Sequence, residues 1–102
     1  MFKLIIADSA SKDLEEIMTY ISIKLANPSA ATYFLDAVEV CYHQIEQNPP
    51  VFEKCKDTRL AGKGYCRAVI KNYIMLFKPD VITNSVTIIR FFYGKRDYAR
   101  FI

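Results

Sequence analysis

Arginines, lysines and tyrosines concentrated in one half of the chain are the residues with chemistry to offer. After residue 57 stand Arg59, Lys63, Arg67, Lys71, Lys78, Arg90, Lys95, Arg96 and Arg100, against only Asp80 and Asp97, a net charge of +7. The preceding residues carry five basic side chains against nine acidic ones, a net charge of −4. The overall +3 hides this split. Tyr65, Tyr73, Tyr93 and Tyr98 are interleaved with the cations. Such a mixture on one surface suits phosphate contact with base stacking, and charge asymmetry between halves points to a polyanionic partner. The densest cluster, Lys95-Arg96-Asp97-Tyr98, reads as a functional surface. Arg67 and Lys71 also fit a merely solvated strand face. Arg90, flanked by apolar residues, also fits a structural arginine paired with an acid of a helix.

Other chemistries find little support. The only histidine is His43, so His-based metal cages and His–Cys catalysis have no second member. Cys41, Cys55 and Cys66 lack CxxC spacing and read as reduced thiols. With Gly62, Gly64 and Gly94 as the only glycines there is no phosphate-binding glycine loop. No metal and no cofactor are expected. No run approaches the roughly 20 apolar residues of a membrane span, and the N-terminal run is too short for a signal sequence. These features predict a cytoplasmic protein with no membrane partner. At 102 residues, 52% of them hydrophobic, residues 1–102 are expected to form one folded domain.

The elements that must position these side chains follow from periodicity. Phe2 to Ala7 suits a short buried strand, with Asp8-Ser9 as a helix N-cap. Ala10, Leu14, Ile17, Met18, Ile21 and Leu25 then recur at helical spacing. Asn27-Pro28 ends that helix and starts another, with Ala31, Phe34, Leu35, Val38, Tyr42 and Ile45 as its apolar stripe. Tyr20, Tyr33 and Tyr42 fall on or beside these stripes and are expected in the core. The second helix stops at Asn48-Pro49-Pro50, and Pro49 to Gly64 reads as a loop. Tyr65–Ile70, Tyr73–Lys78 and Val86–Tyr93 read as strands, with turns at Lys71-Asn72 and from Pro79 to Ser85.

The order β-α-α-β-β-β predicts an α+β fold, an N-terminal helical hairpin packed on a small, mainly antiparallel sheet. Strand alternation places Arg67 with Tyr65, Val69 and Lys71, and Arg90 in phase with Val86, Ile88 and Phe92.

The pattern resembles the RelE/ParE superfamily of bacterial type II toxin–antitoxin toxins across nearly the whole chain. The matching segments are Ala10-x-x-Asp13-Leu14-x-x-Ile17-x-x-Tyr20-Ile21, Asn27-Pro28-x-Ala30-Ala31-x-x-Phe34, Leu60, Gly64-Tyr65-x-Arg67, Asn72-Tyr73-Ile74 and Val86-x-Ile88-x-Arg90-Phe91-x-Tyr93-Gly94-x-Arg96-Asp97. The resemblance implies a small cytoplasmic growth inhibitor silenced by a cognate antitoxin, of the kind that stabilises plasmids. RelE-type members cleave mRNA on the ribosome without a metal, using basic sheet residues and a C-terminal tyrosine. Under that branch the resemblance implies Arg67 and Arg96 as catalytic cations, with Tyr93 or Tyr98 standing in for the missing phenol. Two of that branch's positions are lost: Ile74 replaces an arginine after the tyrosine of the middle strand, and the tyrosine position falls at about Ile102. The depletion resembles the ParE branch, which poisons DNA gyrase through protein contacts. There Lys71, Arg90, Lys95, Arg96, Tyr98 and Arg100 are the candidates for contacting gyrase or an acidic antitoxin segment, with Phe91, Phe92, Phe101 and Ile102 as apolar anchors or as core. The ribosome with mRNA is the alternative target. Outside the family, a non-catalytic nucleic-acid-binding module remains.

Overall fold

The structure is a computed structural model that describes residues 1–48, 54 and 57–94. Its elements are β1 (Lys3–Ile6), α1 (Asp8–Thr19) continued by a π-helical segment (Tyr20–Lys24), α2 (Pro28–Gln47), α3 (Thr58–Gly62), β2 (Cys66–Ile70), β3 (Tyr73–Asp80) and β4 (Ser85–Tyr93). The sheet order is β1-β4-β3-β2. β1 runs parallel to β4, while β2–β3 and β3–β4 are antiparallel. The α+β fold and the helical hairpin agree with the sequence pattern.

α2 forms for reasons visible in the residues. The Asn27 side chain accepts a hydrogen bond from the Ala30 amide at 3.1 Å, and Pro28 begins the helix where its missing amide hydrogen costs nothing. Ala31, Phe34, Val38, Cys41 and Ile45 are buried at alternating spacings of three and four, a single stripe against the sheet. Tyr42 and Leu35, expected on that stripe, are only half-buried. α1 differs from expectation at its start. Asp8 is already helical, and no side chain caps the helix. The Ser9 hydroxyl instead donates to the Ile89 carbonyl of β4 at 2.9 Å.

Two further boundaries move. Within the expected loop, Asp57 accepts from the Leu60 amide at 3.1 Å and starts the short helix α3, whose Leu60 is fully buried. The expected turn at Pro79 to Ser85 shrinks, because β3 continues through Pro79 and Asp80, which pair with Val86 and Ser85. Proline is tolerated there because β2 pairs with β3 only as far as Phe77, so no ladder bond is asked of Pro79 on that side.

The sheet has an apolar cluster on each face. On the helix side Met75, Phe77, Val86, Ile88 and Phe91 meet Ala10, Ile17, Phe34, Val38 and Ile45. On the other face Ile74, Leu76 and Phe92 pack under Leu60. Burial of each large side chain contributes roughly 1.5–3 kcal/mol. A one-residue bulge in β4 sets which residue goes where: Phe77 pairs with Ile88 but Leu76 pairs with Arg90, leaving Ile89 extra. Strict alternation is therefore broken. Val86 and Ile88 face the helices, whereas Arg90 and Phe92 belong with the opposite face, a correction to the in-phase expectation.

Beyond Ile88, among the described residues, β4 has a strand on its β3 side only, because β1 ends at Ile6. Asp13 of α1 occupies that edge. Its carboxylate accepts from the Phe91 amide at 3.0 Å and from Arg90 Nε and Nη2 at 2.6 and 3.2 Å. Arg90 is thus the structural arginine paired with a helix acid, with its guanidinium also 5.1 Å from the Phe92 ring centroid. Asp13→Ala should destabilise the fold by about 2–3 kcal/mol, since it strands a charged donor and a strand amide together. Urea unfolding measures this, and a loss below about 0.5 kcal/mol would contradict the role given to Asp13.

Candidate functional site

The β2–β3 turn and the end of β4 meet at one edge of the molecule. Lys71 takes a left-handed conformation (φ 55°) to close the turn between Ile70 and Tyr73. The Gly94 amide donates to the Asn72 carbonyl at 2.7 Å. A Cβ at Gly94 would stand 3.0 Å from that oxygen, so glycine lets the strand end close on the turn. This contact fixes Tyr93 beside Tyr73, its cross-strand partner. Their rings meet edge to face with centroids 5.6 Å apart, and Tyr73 meets Phe34 of α2 at 5.2 Å in the same manner.

Tyr73 and Tyr93 line three adjoining depressions. The first, of about 460 Å³, lies between this turn and the end of the helical hairpin and has Tyr20, Tyr33 and Lys71 among its walls. The second, of about 300 Å³, brings together Arg67, Lys71 and Tyr93. The third, of about 340 Å³, contains Arg90 beside Asp13 and Glu16. Of the candidates read from sequence, Arg67, Lys71 and Tyr93 therefore share one place. Arg90 stands apart in its ion pair. Lys95, Arg96, Tyr98 and Arg100, with Phe101 and Ile102, lie outside the described residues. Phe91 and Phe92 are buried on opposite faces of the sheet, which makes them core and not surface anchors.

Two residues of this edge were misread from the sequence. Tyr20 and Tyr33, expected in the core, are 47% and 67% exposed. For Tyr33 a signal existed, since it falls off the 31, 34, 38 stripe. Tyr20 likewise stands off the 10, 14, 17, 21 stripe, so ordinary helical spacing already turns it outward. Leu25, expected on that stripe, follows the π-helical segment, whose wider turn shifts the helical phase, and it is 56% exposed.

Among the described residues, no pKa shift is of the kind that activates a nucleophile. Burial pushes the Cys41 thiol up to about 11 and the Tyr42 hydroxyl up to about 12, the latter aided by Cys41. Burial also raises Cys66, opposed by nearby Lys54. Thiols shifted this way are protonated at neutral pH and inert. Tyr73 is raised by burial and then by its neighbours Tyr20 and Tyr93. Arg90 is raised first by its hydrogen bond to Asp13. Among the described residues, no group of three or more His, Cys, Asp or Glu side chains is placed to hold a metal, and no helix is long and apolar enough to cross a membrane.

The chain and its fold have counterparts. Residues 4–98 match the family model described as "ParE toxin of type II toxin-antitoxin system, parDE". The chain belongs to the ParE toxin family. No curated protein matches it in sequence. A solved structure titled "Chromosomal ParDE TA system from P. aeruginosa" is similar in fold, with a TM-score of 0.72 at 14% identity, over 93% of this chain and 98% of that one. Membership of the ParE family makes the chain the toxin side of a type II toxin–antitoxin module. The burial of the Cys41 thiol has a pH signature. The unfolded chain releases the Cys41 proton near its ordinary value while the folded chain holds it, so stability should be flat below about pH 9 and fall as pH rises towards 11, by up to about 1.4 kcal/mol per pH unit for each such group. Tyr42 extends the decline towards pH 12. Urea midpoints from pH 7 to 11 should show a shallower alkaline decline for Cys41→Ala than for the parent chain; identical slopes would argue against a buried, protonated thiol.

Proposed function

We propose that this ParE-family toxin arrests bacterial growth in the cytoplasm by engaging DNA gyrase through protein contacts, and that a cognate antitoxin neutralises it. The observation that carries this reading is Ile74. Where the nuclease branch is expected to place a cation on the middle strand, this chain has an isoleucine 5% exposed and packed with Leu60, Leu76 and Phe92. Metal-free cleavage of RNA needs fixed positive charge against the developing phosphorane. An aliphatic cluster supplies none. Lys71, together with Lys95, Arg96, Tyr98 and Arg100, is left as contact surface for gyrase or for an acidic antitoxin segment, while Arg90 is engaged with Asp13.

One observation favours the ribosome-dependent nuclease as a second reading. Arg67, Lys71 and Tyr93 line a single depression, a pair of cations beside a phenol. Under that reading Arg67, Arg96, Tyr93 and Tyr98 would be catalytic.

Purified protein added to gyrase and relaxed plasmid should block supercoiling at near-stoichiometric amounts, and induction in cells should trigger a DNA-damage response with transcripts intact. Normal supercoiling accompanied by codon-positioned mRNA cuts that vanish in Arg67→Ala would replace the gyrase reading with the nuclease one.

A further inference from the structure

The 460 Å³ cleft between the helical hairpin and the β2–β3 turn presents exposed aromatic surface that the fold itself does not need. Tyr33 is 67% and Tyr20 47% exposed, and Tyr93 completes the wall from the sheet. Tyrosine is a residue that interface centres favour, because it offers large, rigid, amphipathic area at low entropic cost. The backbone around the cleft is irregular in a consistent way. The π-helical turn Tyr20–Lys24 forms one wall, and such turns are rare and gather at functional positions. Ala26, next to the wall residue Leu25, and Lys71 across the cleft both hold positive φ (49° and 55°), a conformation costly for residues with a Cβ.

Charge narrows the occupant. Among the described residues, Lys71 is the one ionic group in the walls, and no carboxylate lines them. Lys24 adjoins Leu25 of the wall. Elsewhere α2 exposes Asp36 and Glu39, which repel an anionic partner. An acidic segment is therefore admitted at this end of the hairpin and turned away along its length. The volume is that of a small-ligand cleft and not of a groove for a whole helix.

We infer that this cleft seats an anchor side chain of the antitoxin: one large aromatic or branched aliphatic residue, carried on an acidic segment whose neighbouring carboxylate pairs with Lys71. The inference rests on the reading that an antitoxin neutralises this chain. The tyrosine walls supply the apolar contact that slows dissociation, and Lys71 supplies the attraction that speeds association.

The test uses the full chain, with the purified product of the reading frame adjoining its gene as the probe, and measures association and dissociation rates at two salt concentrations. Tyr33→Ser should weaken binding at least tenfold, mainly through faster dissociation, while Tyr33→Phe stays within about threefold of the parent. Lys71→Glu should slow association and flatten its salt dependence. Ile82→Ser, at the far end of β3 and 92% exposed, should change nothing. Urea midpoints equal to the parent's confirm that the exposed-site variants fold. If the parent chain binds but Tyr33→Ser and Tyr20→Ser bind within twofold of it, the anchor seats elsewhere and the inference is wrong while neutralisation stands. If the parent chain does not bind the probe at all, the neutralisation reading fails and takes this inference with it. If Tyr33→Ser instead abolishes self-association seen by sedimentation and leaves probe binding intact, a second copy is the occupant and the inference is likewise overturned.

Discussion

The placement of everything else depends on how the open edge of β4 is closed. β4 has nine residues and β1 only four, so the second half of β4 reaches beyond its parallel partner. Ala7, just before α1, and the first turns of α1 take over that edge in three successive contacts. The Ala7 amide donates to the Ile88 carbonyl, the Ser9 hydroxyl to the Ile89 carbonyl, and the Asp13 carboxylate receives the Phe91 amide. Once the helix is under way its backbone groups are committed internally, so after the Ala7 amide it is side chains that serve the strand edge. The same carboxylate holds Arg90 in a two-point pair, the geometry that gives such pairs their strength. Helix, strand edge and arginine are thereby fixed by one group.

That closure has consequences for function. It removes Arg90 from the cations available to a partner, although by composition alone Arg90 counts with the basic half. The bulge at Ile89, directly beside it, then assigns the end of β4 to faces: Phe91 and Tyr93 to the helix side, Arg90 and Phe92 to the other. Without the extra residue Tyr93 would change face, and the pairing of its ring with Tyr73 would be lost. The tyrosine-lined edge is therefore a product of the same local irregularity that docks the arginine.

Much of this fold is legible in the residues, and the limits have physical causes. The stripe Ala31, Phe34, Val38, Ile45 and the Asn27-Pro28 junction declare α2 because burial and capping act locally. The Lys71-Asn72 turn is legible because two polar residues separate two apolar runs. The bulge and the π-helical segment are not legible: each inserts a change of phase while leaving the apolar pattern on either side intact. Those two shifts misplace Arg90 and Leu25. α3 is hidden differently, being a single turn held by Asp57 and the burial of Leu60, too short to show a period. The family was legible from the order of segments. The position of Ile74 within it mattered more than any cation, because a buried aliphatic residue excludes a role while an exposed lysine only permits one.

The cleft and the basic depression are adjacent parts of one surface. Lys71 and Tyr93 line both the 460 Å³ cleft and the 300 Å³ depression that holds Arg67. A side chain seated in the first therefore lies against groups that a polyanion or an acidic target surface would use in the second. Charge attraction and steric occlusion then act together: an acidic segment drawn to Lys71 neutralises the potential that would steer a competing partner, and its bulk covers Tyr93. The turn, joined to the end of β4 by the Gly94 amide on the Asn72 carbonyl, sets the two recesses side by side, so an occupant of the kind inferred for one would crowd the other.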